Sequence, residues 1–277
     1  MSGKATVGAV EISGLLDYQE LATAAGNFPT VPSEAWEPYR KLYPDIFASP
    51  TELHWFYCCY LVQSASRTIV VDAGIGPANG PEAKNHNAAG WLMDALKANG
   101  VEAGDVDTVV LTHLHPDHVG WSATLEGDKY EPVFQRARYI AHQADWDEFS
   151  QPGHPWIDET VHPVNAAGQL DIVSEAEVII DKEIRLLHSP GHTPGSMSVH
   201  ISSDGHRGIL FGDAFAHPAQ LSEPNWGFVW DMDPELAKRS RAELIGKLDT
   251  DGIAIGAGHF GLGRLARKAN RRIWIAV

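Results

Sequence analysis

Short apolar runs alternate with amphipathic stretches along the chain, and the alternation occurs twice. FYCCYLV (56–62) and RTIVVDAG (67–74) are rich in β-branched and aromatic residues, and the turn around Ser64 to Ser66 joins them as two strands. Asn87 to Ala98 has helical spacing and ends at the Asn99-Gly100 pair. VDTVVLTH (106–113) is a continuous apolar run that predicts a buried strand. In the second half RARYIAH reads as a strand and QADWDEFS as a short helix. AEVIID, IRLLHSPG, SMSVHIS and HRGILFGDAF read as strands. A helix from Pro234 to Leu248 follows, with Asp233 as its N-cap and Pro234 in the first turn. GIAIGAGH is one more strand. Gln151 to Asn165, with its prolines and histidines, reads as a surface insertion. The first fifty residues are broken by Pro29, Pro32, Pro38, Pro44 and Pro50 and read as irregular, except for a short helix from about Ser33 to Leu42 with Ser33 as N-cap. Strand pairs trailed by helices predict an α/β protein of two similar halves packed sheet to sheet. No linker divides them, so residues 1–277 read as one domain with a proline-rich N-terminal extension over about residues 1–55.

Composition narrows the function more than the fold. Asp plus Glu is 36 against 21 Lys plus Arg, a net charge of −15, and so acidic a body repels phosphate backbones. Nucleic acid is therefore not the expected partner. The longest apolar run, Trp55 to Val62, is far below the roughly 20 residues a bilayer span needs. The N-terminal MSGKATVGAVEISGLLD lacks the unbroken apolar stretch of a signal peptide. No membrane association and a cytoplasmic location are the expectations. Cys58 and Cys59 are adjacent in a strand, point to opposite faces and read as small buried hydrophobes rather than a bridge. Histidine, with 14 residues, is the anomaly.

The densest chemistry is THLHPDHVG (112–120), which leaves a buried strand carrying His113, His115, Asp117 and His118. In extended chain His113 and His115 point the same way, and Pro116 then bends the backbone so that Asp117 and His118 turn toward a neighbouring position. Imidazole and carboxylate are the donors Zn²⁺ takes, at about 2.0–2.2 Å. Two such groups side by side suit two metals better than one. HSPGHTPGS holds His192 between two Pro-Gly turns, FGDAF sets Asp213 at a strand end, and GAGHFG presents His259 between glycines. His142, His154, His162, His188, His200 and His206 fit no metal spacing.

This pattern resembles the metallo-β-lactamase-fold superfamily, from about Phe56 to Arg264. The H-x-H-x-D-H motif is present as His113, His115, Asp117 and His118, and the later ligands match His192, Asp213 and His259. The resemblance implies a four-layer αβ/βα sandwich with the site along one edge of its sheets. It implies one Zn²⁺ held by His113, His115 and His192, a second held by Asp117, His118 and His259, and Asp213 bridging them. Fe, Mn or Co also suit such mixed donors. Asp72, in VVDAGIG, would support a ligand from behind; a turn aspartate satisfied by nearby N–H groups is the alternative. The implied chemistry is hydrolysis by a metal-bridging hydroxide, with Asp117 both ligand and proton carrier. The superfamily's diiron oxidoreductases replace the His115 equivalent with a carboxylate and add a flavin domain, and this chain does neither.

Within the resemblance, Asp213 stands where β-lactamases carry Cys or Ser, nucleases need an inserted domain, and glyoxalase II-like thioesterases need a helical C-terminal extension. What remains is opening of a lactone or related carboxylic ester, with aryl phosphotriester hydrolysis as the alternative and a noncatalytic, metal-stabilised binding module as a second. Quorum-quenching lactonases set a Tyr just beyond the bridging Asp, where this chain reads Ala214, Phe215, Ala216, His217. His217 is a stand-in for that Tyr or an exposed histidine capping the loop before Pro218. Trp226, Phe228 and Trp230, with Phe260 beside a ligand, are expected to wall a pocket for a small molecule with an apolar portion. A buried strand edge or a homodimer contact would explain the same aromatics. Trp55, Trp121 and Phe28 are further candidates. The tail (Arg264, Arg267, Lys268, Arg271, Arg272) is basic, as the glutathione-binding extension of those thioesterases is, and a solvated closing strand explains the same residues equally well.

Overall fold

Two seven-stranded sheets form the frame of the computed structural model, which describes residues 3–269 and 271–277. The first holds β1 (Lys4–Val7), β2 (Val10–Thr23), β3 (Glu52–Gln63), β4 (Thr68–Val71) and β5 (Thr108–Val110) in that order. A separate hairpin, β6 (Ala123–Glu126) with β7 (Lys129–Pro132), precedes the last two strands of that sheet, β8 (Arg138–His142) and β9 (Leu170–Val173). The second sheet runs β10 (Glu177–Ile179), β11 (Ile184–His188), β12 (Met197–Ser203), β13 (His206–Leu210), β14 (Ala254–Ala257), β15 (Phe260–Lys268) and β16 (Arg271–Ala276). Both mix antiparallel pairs with parallel ones: β4 with β5, β5 with β8, β8 with β9, and β13 with β14.

Strand β3 shows why its sequence is apolar without alternation. Cys58, Tyr60 and Val62 point into the core shared with Val199, Ile201, Ile209 and Ile255 of the second sheet. Cys59 and Leu61 point the other way, into a second core with Leu92, Leu96, Ile157 and Val161 from helices. A strand buried on both faces needs hydrophobes at every position. The adjacent cysteines accordingly lie on opposite faces, both buried and free. Sheet packs on sheet with helices outside, as the alternation suggested for its two halves and as the resemblance implied for an αβ/βα sandwich.

Among the described residues α-helices occupy eight segments: α1 (Ala24–Asn27), α2 (Glu37–Leu42), α3 (Pro81–His86), α4 (Leu92–Ala98), α5 (Pro116–Val119), α6 (Gln143–Phe149), α7 (Pro155–Ala166) and α8 (Pro234–Gly246). Asp233 caps α8 as expected, accepting from the Leu236 N–H at 2.9 Å. Four local expectations are corrected. Residues 4–7 and 10–23 are strand, because the prolines begin only at Pro29 and β2 pairs with β3 over a long register from Glu11–Gln63 to Thr23–Glu52. Ser33 opens a 3-10 turn, Ser33–Trp36, that leads into α2, and it accepts from Arg40 rather than capping the helix. The helix expected from Asn87 starts only at Leu92, since Asn87 takes left-handed backbone (φ 50°) and ends α3. The expected surface insertion contains α7, whose Ile157, Val161 and Val164 recur at helical spacing and are buried.

The proline-broken stretch after β2 is packed core. Phe28, Trp36, Tyr43 and Phe47 surround the ring of His217, with Trp36 edge-on at 5.0 Å and Phe47 at 5.8 Å. His217 is buried, not exposed as expected. It does cap its loop: Nδ1 accepts from the Ala219 N–H at 3.0 Å, and Gln220 accepts from the His217 N–H. Its Nε2 has no hydrogen-bond partner among the rings. Burial pushes the His217 pKa down to about 3. The unfolded chain protonates this imidazole near pH 6.5, the folded one only near pH 3, so its stability contribution is complete above pH 6.5 and is lost as pH falls toward 3. At pH 5 that loss is about 2 kcal/mol. Urea unfolding at pH 7.5 and pH 5 should therefore show the wild-type protein losing about 2 kcal/mol more than His217→Asn; equal losses would remove this histidine from the acid response.

Candidate metal centre

Every element that carries one of the seven predicted donors ends at the same edge of the sandwich. After β5 the chain passes through Thr112 and His113 to His115, which precedes α5, where Pro116 fills the first position. Pro116 starts the bend expected from sequence, and α5 carries Asp117 and His118. His192 lies in the loop after β11, Asp213 in a 3-10 turn after β13, and His259 in the two-residue connection from β14 to β15. Gly258 is required there, since a Cβ at that position would collide with the Asp213 carboxylate and the His118 ring.

The donor atoms converge. Three groups have their ligand atoms within 4.8 Å of one another: His113–His115–His192, His113–His118–Asp213, and Asp117–His118–His259. Asp213 lies between the outer two. One of its oxygens is 2.8 Å from His259 Nε2 and 3.6 Å from His192 Nε2, and the other is 3.5 Å from His118 Nε2. His115 Nδ1 and His192 Nε2 face each other at 3.0 Å, one ring nitrogen donating to the other. Among the described residues no other group of donors is so arranged, and His142, His154, His162, His188, His200 and His206 stay outside. His142 and His188 instead stack on each other at 4.1 Å.

The tautomers are set from behind. Asp72 accepts from the Thr112 N–H (2.7 Å), the Thr112 hydroxyl (2.9 Å) and His118 Nδ1 (2.9 Å), leaving His118 Nε2 aimed inward. Asp72 thus satisfies a loop N–H and hydrogen-bonds the His118 ring with the same carboxylate. His259 Nδ1 donates to the Phe56 carbonyl at 2.9 Å, and His113 Nδ1 meets the Thr112 hydroxyl at 3.1 Å. His113 Nε2, His118 Nε2 and Asp213 Oδ1 are buried without hydrogen-bond partners. Buried polar atoms are seldom left unpaired. Inward-facing imidazole nitrogens around carboxylates are the donor set of a divalent-cation site, and these residues fit one.

Electrostatics agree. Burial and the neighbouring imidazoles hold His113 well below the ordinary histidine range, and burial pushes His115 down to about 3. Burial works against charge on His118 too, but Asp117, Asp213 and Asp72 outweigh it and raise its pKa. His259 is raised likewise, against burial, mainly by Asp213. For Asp117 and Asp213 burial is outweighed by His118 and His259, and both carboxyls are held below the usual range. The carboxylates demand positive charge between them.

A cavity of about 520 Å³ opens onto this edge, reached by His115, Asp117, His192, Asp213 and His259. Phe228 and Trp230 line it as expected, and so does Trp55, which stacks on His259 at 4.3 Å. Trp226, Phe260 and His217 do not line it. Trp226 packs on Trp36 at 4.7 Å, and Phe260 is fully buried against Trp274 at 5.8 Å. The alternation of NWGFVW failed as a guide because residues 225–230 are turn and irregular chain, not a strand. Phe28 lies beneath Phe228, and Trp121 donates to Asp17 at 3.0 Å. Sequence reasoning missed Tyr57, Phe149 and Trp156 in the wall. It also missed Asp145, buried beneath the site, which accepts from Leu114 N–H (3.0 Å), the Thr193 hydroxyl (2.9 Å) and Gly195 N–H (2.6 Å). Asp145 ties the His115 loop to the His192 loop, and burial pushes its pKa up to about 6.

Comparison with known proteins agrees with this geometry. Residues 56–259 match the metallo-beta-lactamase superfamily. An N-acyl homoserine lactonase of Bacillus sp is 28% identical over 204 residues, covering 67% of this chain and 74% of the relative. Among solved structures, that of AidC, described as a dizinc quorum-quenching lactonase, has a TM-score of 0.78 at 22% identity, covering 99% of this chain and 97% of its own. The hydrolase AbOPH in the beta lactamase superfamily has a TM-score of 0.80 at 22% identity, covering 99% and 96%. The two structures speak for the fold, and the match across residues 56–259 for the family. The chain belongs to the metallo-beta-lactamase superfamily.

Proposed function

We propose that the protein is a dizinc hydrolase that opens a lactone or a related carboxylic ester. The observation that carries this reading is the convergence of seven donors in two groups with the Asp213 carboxylate between them. His113, His115 and His192 would hold one ion; Asp117, His118 and His259 the other; Asp213 would contact both. Zinc bound there supplies Lewis acidity, which makes water nucleophilic at neutral pH and polarises the substrate oxygen.

The remaining work falls to the chain's own side chains. Asp117 is half-buried and borders the cavity, whereas His113, His118, His192, Asp213 and His259 are buried. Its carboxylate is placed to take the proton released as water adds to the carbonyl and to return it to the leaving alkoxide. Trp55, Phe149, Trp156, Phe228 and Trp230 give the cavity an apolar wall for an acyl chain. Among the described residues its lining includes no Lys or Arg, and on one wall His86 lies between Glu20 (3.2 Å) and Glu82 (3.0 Å). A substrate with an anionic carrier group would find no counter-charge there, which favours a neutral ester over the thioester of an anionic thiol.

Zinc-loaded protein should hydrolyse lactones or aliphatic esters with kcat/KM at least about tenfold above that for aryl phosphotriesters, and should lose turnover on chelation and regain it with zinc. A phosphotriester preference would replace the substrate reading; no turnover of any of these would end it. Asp117→Asn should keep two equivalents of zinc by elemental analysis and lose about 10²–10⁴ in kcat; unchanged kcat would remove the proton-transfer role.

A further inference from the structure

Helix α8 turns Ala237, Ser240, Arg241 and Leu244 inward, and one of those four is an arginine with no exposed side-chain surface. Such a charge is costly unless it is paired and hydrogen-bonded. Arg241 donates from Nε to the Pro224 carbonyl at 2.9 Å, and from Nη1 to the Ala214 carbonyl at 3.3 Å and to Asp231 Oδ2 at 3.2 Å. Asp231, its side chain equally sealed, also accepts from the Phe228 N–H at 3.2 Å. The other oxygen of Asp231 stands 3.4 Å from His192 Nδ1. Each of those two atoms is buried and has no hydrogen-bond partner.

The same segment grips His192 through its backbone. Met232 N–H donates to the His192 carbonyl at 3.0 Å and Asp233 N–H to the Gly191 carbonyl at 2.9 Å. Gly191 has φ +131°, and a Cβ there would collide with the α8 backbone at Ala237. The Phe228 ring, a wall of the cavity, stacks on the His192 ring at 5.7 Å with planes 13° apart. One guanidinium therefore ties together the residue following Asp213, the loop carrying Phe228 and the carboxylate facing His192.

We propose that Asp231, anchored by Arg241, is the positioning residue of the centre's His192 side: its free oxygen accepts a hydrogen bond from His192 Nδ1–H when the site is loaded, which keeps the proton on Nδ1 and directs Nε2 into the metal site. This rests on the reading of His192 as a zinc ligand. Asp72 already hydrogen-bonds His118 Nδ1 at 2.9 Å, so each half of the centre has a carboxylate behind one imidazole. Removing such a carboxylate typically costs 10–100-fold in metal affinity. A purely structural ion pair would behave differently, because replacing both buried partners by apolar groups of similar volume is often neutral for stability.

The test is zinc affinity by competition with a chromophoric chelator, alongside the melting temperature of the metal-free protein. Wild type should bind two zinc ions. In Asp231→Asn one of them should weaken about 10–100-fold while the other changes little. The double variant Asp231→Leu/Arg241→Met should melt near the wild-type temperature yet keep the weakened ion. The proposal is overturned if Asp231→Asn holds both ions as tightly as wild type, or if the double variant regains affinity together with stability. Should the double variant fail to fold, the isosteric Asp231→Asn decides alone. Fewer than two zinc ions in the wild type would instead refute the ligand reading, and the proposal with it.

Discussion

Five imidazoles and two carboxylates held within a few ångströms, most of them out of water, form an arrangement that protein atoms alone do not satisfy. His113 Nε2, His118 Nε2 and Asp213 Oδ1 have no partners in the folded chain. His115 and His192 turn ring nitrogens toward each other at 3.0 Å. Without a cation, the negative charge of Asp117 and Asp213 must be balanced by protons on His118 and His259. Divalent ions held by these donors would replace those protons and satisfy the orphaned atoms together, which would link metal binding to the stability of this edge. The surrounding structure reads as the means of keeping seven donors in place against that penalty.

The supports are buried carboxylates, each receiving several donors from loops that would otherwise be free to move. Asp72 fixes the start of the His113 loop, and Asp145 ties that loop to the Pro-Gly loop of His192. Asp17, from β2, accepts from the Ile75 N–H (2.7 Å), the Leu92 N–H (2.8 Å) and the Trp121 indole (3.0 Å), and so holds the segments flanking the site. Burial pushes its pKa up to about 6, a measure of how far this carboxyl has been removed from water. The N-terminal strands are thus part of the site's foundation, and the aromatic packing around His217 continues that foundation beneath Phe228 through Phe28.

The donors were legible in the sequence because their types are unusual and their positions follow apolar strand runs. The core strands were legible for the same reason, apolar residues on consecutive positions. Where the sequence misled, the signal was masked or nonlocal. The prolines from Pro29 onward drew attention from the strand pattern of residues 10–23, and the histidines and prolines of 151–165 hid the buried Ile157, Val161 and Val164 of α7. Trp226 and Phe260 are aromatic for core packing, and nothing local separates them from Phe228 and Trp230, which face the cavity. Asp145 and Asp231 act on residues dozens of positions away, which no spacing reveals. Arg241 did leave a trace: a charged residue within the inward stripe of Ala237, Ser240 and Leu244.

The most direct measurement of the central claim is the anomalous diffraction of zinc-loaded crystals at the zinc edge. The account predicts two peaks, one within bonding distance of His113, His115 and His192, the other of Asp117, His118 and His259, with Asp213 touching both. A single peak, or two that leave Asp213 uncoordinated, would contradict it.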